Sequence, residues 1–125
     1  MRLLLDSHIL IWLMREDSHL APEAHALING ATEVFVSTAS IWELAIKARL
    51  GKLQMDIERM ADLLETSGIN ELSITRQHVL AAACLPLLHR DPFDRLLIAQ
   101  AIGGTMRLVT ADSQLAAYSD LVTVI

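Results

Sequence analysis

The sequence predicts an α/β fold, a three-layer α/β/α sandwich around a central parallel sheet of about five strands. Three observations predict it. Five short β-like runs recur along the chain, at 2–5, 33–37, 71–74, 107–110 and 121–125. Helical patterns fill the gaps between them, and strands that alternate with helices form a parallel sheet covered on both faces. The runs are also nearly all apolar, as strands buried on both faces should be.

The first run, Arg2-Leu-Leu-Leu5, leads through Asp6 into a helical pattern at 8–15, and a second helix is expected at 22–29. After the second run comes a helix at 39–50. Ser40-Ile-Trp-Glu43 matches a capping box there, while a helix begun at Ser37 or Thr38 leaves Glu43 in the second turn. Its far end, Lys47-Ala-Arg-Leu-Gly-Lys52, reads as a solvated C-terminus: cations suit that end of a helix, and Gly51 suits its stop. Helices at 56–67 and 75–84 flank the third run, and the Ala-rich surroundings of Cys84 predict a small buried side chain. Asp91-Pro92 is a helix start by itself, N-cap followed by proline at the first helical position. That helix is expected over 92–103, where Gly103-Gly104 lowers helix stability. A last short helix, 113–118, follows Asp112 and precedes the fifth run.

A chain of 125 residues, 53% apolar, is long enough to bury one core without disulfides, and no linker or repeat divides it, so a single domain over 1–125 is expected. Charged residues and histidines interrupt the apolar runs well before the eighteen or so residues of a membrane span, so no membrane association is expected. The apolar start has no cleavable small-residue site and carries Asp6 and His8. The single cysteine suits a reducing cytoplasm. A net charge of −5 argues against a general nucleic-acid coat, whose affinity would come from many phosphate contacts. It leaves room for a local basic patch, and both lysines, Lys47 and Lys52, fall in one six-residue stretch with Arg49 between them.

Ligands of such sheets bind beyond the carboxyl ends of the strands, where strand order reverses. Asp6 directly follows the first run, and Asp112 follows the fourth in Leu-Val-Thr-Ala-Asp. With Glu43 and Asp94 they make four acids in apolar surroundings. Singly, Glu43, Asp94 and Asp112 each read as part of a helix start. Together, carboxylates drawn to one sheet edge would repel one another unless a cation neutralised them. Oxygen donors of this kind suit Mg²⁺ or Mn²⁺. Zinc is disfavoured, because one cysteine and the scattered His8, His19, His25, His78 and His89 show no ligand spacing.

Four blocks in this order, LLLDSHILIWL, SIWELAIKARLGKL, HRDPFDRLLIAQA and LVTADSQLAAY, resemble the PIN-domain ribonucleases, and within them the VapC toxins of bacterial type II toxin–antitoxin pairs. The resemblance runs nearly end to end. It implies strand order 3-2-1-4-5 and Mg²⁺- or Mn²⁺-dependent cleavage of RNA by an activated water. Carried over by residue, it implies metal-binding acids at Asp6, Glu43, Asp94 and Asp112, with Asp91 as an accessory. Lys47, Arg49, Lys52, Arg90 and Arg95 are candidates for holding the RNA backbone. It further implies a homodimer and an antitoxin that blocks the acidic site with a basic side chain. Two positions depart from the family pattern: Ser7 stands where many relatives have Thr, keeping the hydroxyl, and Gly103-Gly104 replaces larger residues.

Other readings stay open. A receiver-like regulatory domain would resemble a pattern with an Asp after the third strand and a Lys after the fifth, whereas here Ser73-Ile74-Thr75 closes the third run and no lysine follows position 52. A haloacid-dehalogenase-like phosphatase would carry an acid where this chain has His8. A catalytically weak PIN-fold interaction module is disfavoured by the intact acids.

Overall fold

Strands β1 (Arg2–Leu5), β2 (Glu33–Ser37), β3 (Asn70–Leu72), β4 (Arg107–Thr110) and β5 (Val122–Val124) pair in parallel in the order 3-2-1-4-5 in the computed structural model, which describes residues 1–125. The central strand β1 sets Leu4 against Phe35 of β2 on one side and Leu108 of β4 on the other. Leu3, Leu4 and Leu5 are fully buried, which explains why this run is apolar at every position. Their side chains alternate between faces. Leu3 and Leu5 join Val36 and Val109 in one cluster with Ile9 and Leu10 of α1 (Ser7–Met14), Ile28 of α2 (Pro22–Asn29), Leu44 of α3 (Thr38–Arg49) and Met60 of α4 (Ile57–Thr66). Leu4 and Leu108 join a second cluster with Leu97, Ile98 and Ala101 of α6 (Pro92–Gly104) and Leu115 of a short 3-10 helix (Ser113–Tyr118). The predicted three-layer sandwich is therefore the one observed. No helix is long and apolar enough to cross a membrane.

Several local expectations shift. The capping box at Ser40 does not form: Ser37, the last residue of β2, is the N-cap of α3, its hydroxyl accepting from Ala39 N at 3.1 Å. A side chain that ends a strand can begin the next helix only if the connection has no spare residue, and here it has none. Glu43 consequently sits in the second turn. Helix α6 runs one residue further than expected and stops where Thr105 adopts a left-handed backbone (φ 51°). Gly51 takes positive φ (76°) just beyond the α3 C-cap, as its sequence position implies. Cys84 is exposed rather than buried. Its helix α5 (Arg76–Cys84) buries no residue at all, because it leans on α6 from outside instead of covering the sheet.

Leu4→Ala should remove about 2–5 kcal/mol of unfolding free energy, since it opens a cavity at a fully buried position. Leu87→Ala, at a position 89% exposed, should change stability by no more than about 0.5 kcal/mol. Urea denaturation of the two variants beside the parent chain checks the contrast; equal losses would contradict this division between core and surface.

Candidate active site

Strand order reverses between β1 and β4, and the carboxyl ends of these two strands open onto a pocket of about 330 Å³. Its walls bring together all five acids singled out in the sequence, Asp6, Glu43, Asp91, Asp94 and Asp112, with Ser7, His8, Lys47 and Ala111. Lys47 is the one lysine or arginine among them.

Asp6 is placed by the sheet itself. Its backbone N–H extends the β1–β4 ladder to Val109 O at 3.0 Å, and the residue then serves as N-cap of α1. Its Oδ1 accepts from Ser7 N at 2.6 Å and its Oδ2 from the Thr110 hydroxyl at 2.6 Å. Only 6% of the residue is exposed. Thr110 Oγ1 also accepts from Asp112 N at 3.1 Å, so one hydroxyl ties the first acid to the last. Ser7 Oγ donates to Glu43 Oε1 at 3.0 Å and thereby fixes a carboxylate on α3 from the first turn of α1. On the next turn of α3, Lys47 Nζ lies 3.2 Å from Glu43 Oε2.

The other two corners are helix starts. Asp91 is the N-cap of α6, its Oδ1 accepting from Phe93 N at 2.8 Å and Asp94 N at 3.2 Å. Asp112 caps the 3-10 helix through Gln114 N at 2.9 Å. Asp94 lies in the first turn of α6, and its Oδ2 meets His89 Nε2 at 2.8 Å. Burial away from water, with the nearby charges of Asp6, Asp91 and Glu43, pushes the Asp94 carboxyl up to about 6, against the pull of the His89 hydrogen bond. The same hydrogen bond to Asp94 raises the His89 imidazole, outweighing its own partial burial, and the charges of Asp112 and Asp91 add to the rise.

The basic residues divide. Lys47 enters the pocket, whereas Arg49, Lys52 and Arg90 are exposed. Arg95 departs from the expectation of a phosphate-holding side chain. Its guanidinium donates to Ala82 O (2.8 Å), Leu85 O (3.0 Å), Pro86 O (2.9 Å), His89 O (3.3 Å) and the Tyr118 hydroxyl (3.3 Å). Those acceptors commit it to clamping the loop before α6. His89 and Thr110 were missed by sequence reasoning. The parallel pairing of runs one and four could have signalled Thr110, which ends the strand beside Asp6. Nothing in the spacing could have signalled His89, because its approach depends on how the 85–91 loop folds back.

A family model described as PIN domain matches residues 3–121. Ribonuclease VapC22 from Mycobacterium tuberculosis (strain ATCC 25618 / H37Rv) is 34% identical over 117 residues, which span 92% of this chain and 90% of that protein. Among solved structures, a toxin–antitoxin complex from Klebsiella pneumoniae aligns with TM-score 0.68 and 20% identity over 96% of this chain and 94% of that one. VapBC2 from Rickettsia felis, bound to a DNA fragment from its promoter, aligns with TM-score 0.69 and 16% identity over 100% of this chain and 98% of that one. At those identities the two structures speak to the fold.

The two acids of Asp91-Pro-Phe-Asp94 should separate in thermal melts made in chelator. Asp91→Ala removes a cap that serves two backbone N–H groups and should cost about 0.5–2 kcal/mol. Asp94 has the opposite sign. Its carboxyl is raised on folding from 3.8 to about 6, so the charged form is disfavoured in the folded chain and stability falls as pH rises through that interval. Asp94→Asn should therefore match the parent below pH 4 and gain about 1–3 kcal/mol on it above pH 6. A variant that melts lower than the parent at pH 7 would contradict the raised Asp94 carboxyl, to which burial contributes most and the neighbouring carboxylates less.

Proposed function

The chain belongs to the PIN domain family, and on that premise we propose that it is a metal-dependent endoribonuclease, the toxin of a type II toxin–antitoxin pair, acting as one PIN domain over residues 1–125. The observation that carries this reading is the convergence of Asp6, Glu43, Asp94 and Asp112 on one pocket at the sheet switch point. We assign them as ligands of Mg²⁺ or Mn²⁺, with Asp91 as an accessory. The donor set fits such ions, being carboxylate oxygen held in a fixed arrangement. The electrostatics fit as well: burial and, after it, the neighbouring carboxylates make Asp94 resist ionisation, and a cation would relieve that cost.

When bound, such an ion lowers the pKa of water it holds and draws charge from a phosphate. The chain supplies orientation. Both oxygens of Asp6 are held, by Ser7 N and Thr110 Oγ1, so the carboxylate is set before any ligand arrives. Ser7 holds Glu43 in the same way. Lys47 lines the pocket and can place its ammonium against a phosphate oxygen, while Arg49, Lys52 and Arg90 remain exposed for the flanking backbone. Arg95 is left out of this set, its donors being committed to the loop.

Partners follow from the surface. Trp42 and Ile46 on α3 and Leu50 at its C-cap recur every fourth residue and are exposed, and Val79 and Leu80 lie exposed on α5. Such apolar surface suits an interface between two copies of the chain. The acidic pocket suits a basic side chain from an antitoxin, and likeness to toxin–antitoxin complexes supports that partner.

Incubated with total RNA, the chain should cut in Mg²⁺ or Mn²⁺ and stop with chelator. Asp6→Asn should lower the rate by at least about two orders of magnitude while the melt in chelator stays cooperative. Cleavage that survives thorough chelation would remove the metal from the reaction. Sedimentation should report a dimer at micromolar concentration that Leu80→Asp converts to monomer. A parent chain that sediments as a monomer at high concentration would remove the homodimer.

A further inference from the structure

Resting on the metal reading above, we propose that His89 is a further ligand of the same centre, a nitrogen donor that favours a divalent transition-metal ion over Mg²⁺. His89 Nε2 lies 2.8 Å from Asp94 Oδ2 and 4.0 Å from Asp112 Oδ2. One donor atom from each of the three residues lies within 4.8 Å of the other two. In an octahedral shell with bonds of about 2.1 Å, neighbouring donors sit about 3 Å apart and opposed donors about 4.2 Å. The three side chains therefore need only small movements to share an ion.

The loop that carries His89 is built to keep it there. Its backbone N–H donates to the Tyr118 hydroxyl at 2.8 Å, and that hydroxyl in turn donates to Pro86 O at 2.9 Å. Arg95 holds the same segment through the carbonyls of Leu85, Pro86 and His89. Arg95 follows Asp94 directly on α6, and Tyr118 ends the 3-10 helix that Asp112 begins. The two clamps thus tie the loop to the two elements whose acids face the imidazole. The same hydrogen bonds that satisfy the loop's backbone also fix the imidazole between the two acids. Mg²⁺ holds to oxygen donors, whereas Mn²⁺, though it also suits carboxylates, is a first-row transition ion that accepts an imidazole nitrogen beside them, so the added nitrogen separates the two ions.

The full chain loaded with Mn²⁺ tests this by electron spin-echo envelope modulation, which detects a nitrogen bonded to the ion independently of cleavage. The parent should show imidazole nitrogen modulation, and His89→Gln should lose it. In the same variant the Mn²⁺ dissociation constant should rise by about tenfold or more, with the Mg²⁺ constant changing less than about threefold. His89 meets its clamps through backbone atoms, so the variant should keep the loop. Should it fail to fold, the parent spectrum alone decides. A Mn²⁺-loaded parent without nitrogen modulation would leave His89 as a hydrogen-bond partner of Asp94 and overturn the proposal while the metal reading stands. A parent that binds neither ion would overturn both.

Discussion

The site depends on one constraint: carboxylates must be held together in a place that their own charge disfavours. Asp6 is nearly buried at the end of the central strand, yet both of its oxygens are satisfied by short hydrogen bonds from neutral donors. Neutral donors fix a carboxylate without cancelling it. The single ammonium in the pocket goes to Glu43 instead, one helical turn away. Burial first, and then the charges of Asp6, Asp91 and Glu43, push the Asp94 carboxyl up to about 6. The rest of the fold opposes that cost with two apolar layers, in which Leu3, Leu4 and Leu5 are wholly buried.

Much of this was legible in the sequence, and for physical reasons. Strands buried on both faces must be apolar at every position, so RLLL and RLVT announced themselves. Strand order came from the family resemblance, since apolarity does not say which strands are neighbours. The acids were legible because a charge in apolar surroundings needs a cause. Boundaries were less so. Ser37 and Ser40 are both competent caps, and only the absence of a spacer between β2 and α3 selects the first. The burial of Cys84 was misread because an Ala-rich helix looks the same whether it packs inside a core or along the outside of another helix.

The residues that sequence reasoning could not assign share one property: their roles are set by backbone path. Arg95 sits beside an acid in the chain, which makes it look like a phosphate binder. Its guanidinium instead replaces the missing secondary structure of the 85–91 loop, donating to the carbonyls of Leu85, Pro86 and His89, and also reaches Ala82 O in the last turn of α5. His89 is five residues from Asp94 and twenty-three from Asp112, and no periodicity predicts that one imidazole meets both. Thr110 lies between these cases, because strand pairing alone brings it to Asp6.

The central position of β1 bears on how the chain comes off the ribosome. Its partners are β2, about thirty residues later, and β4, more than a hundred later. Until β4 emerges, one edge of the most apolar strand stays open, and unpaired edges of this kind are where nascent chains associate wrongly. The same delay has a protective side. Asp6 and Glu43 are made early, but Asp94 and Asp112 arrive with the last third of the chain, and Thr110 reaches Asp6 only when β4 docks. A truncated or half-made product carries an incomplete set of acids. The acidic pocket can close only after β4 has docked against β1, so the order of synthesis sets the earliest moment at which it forms.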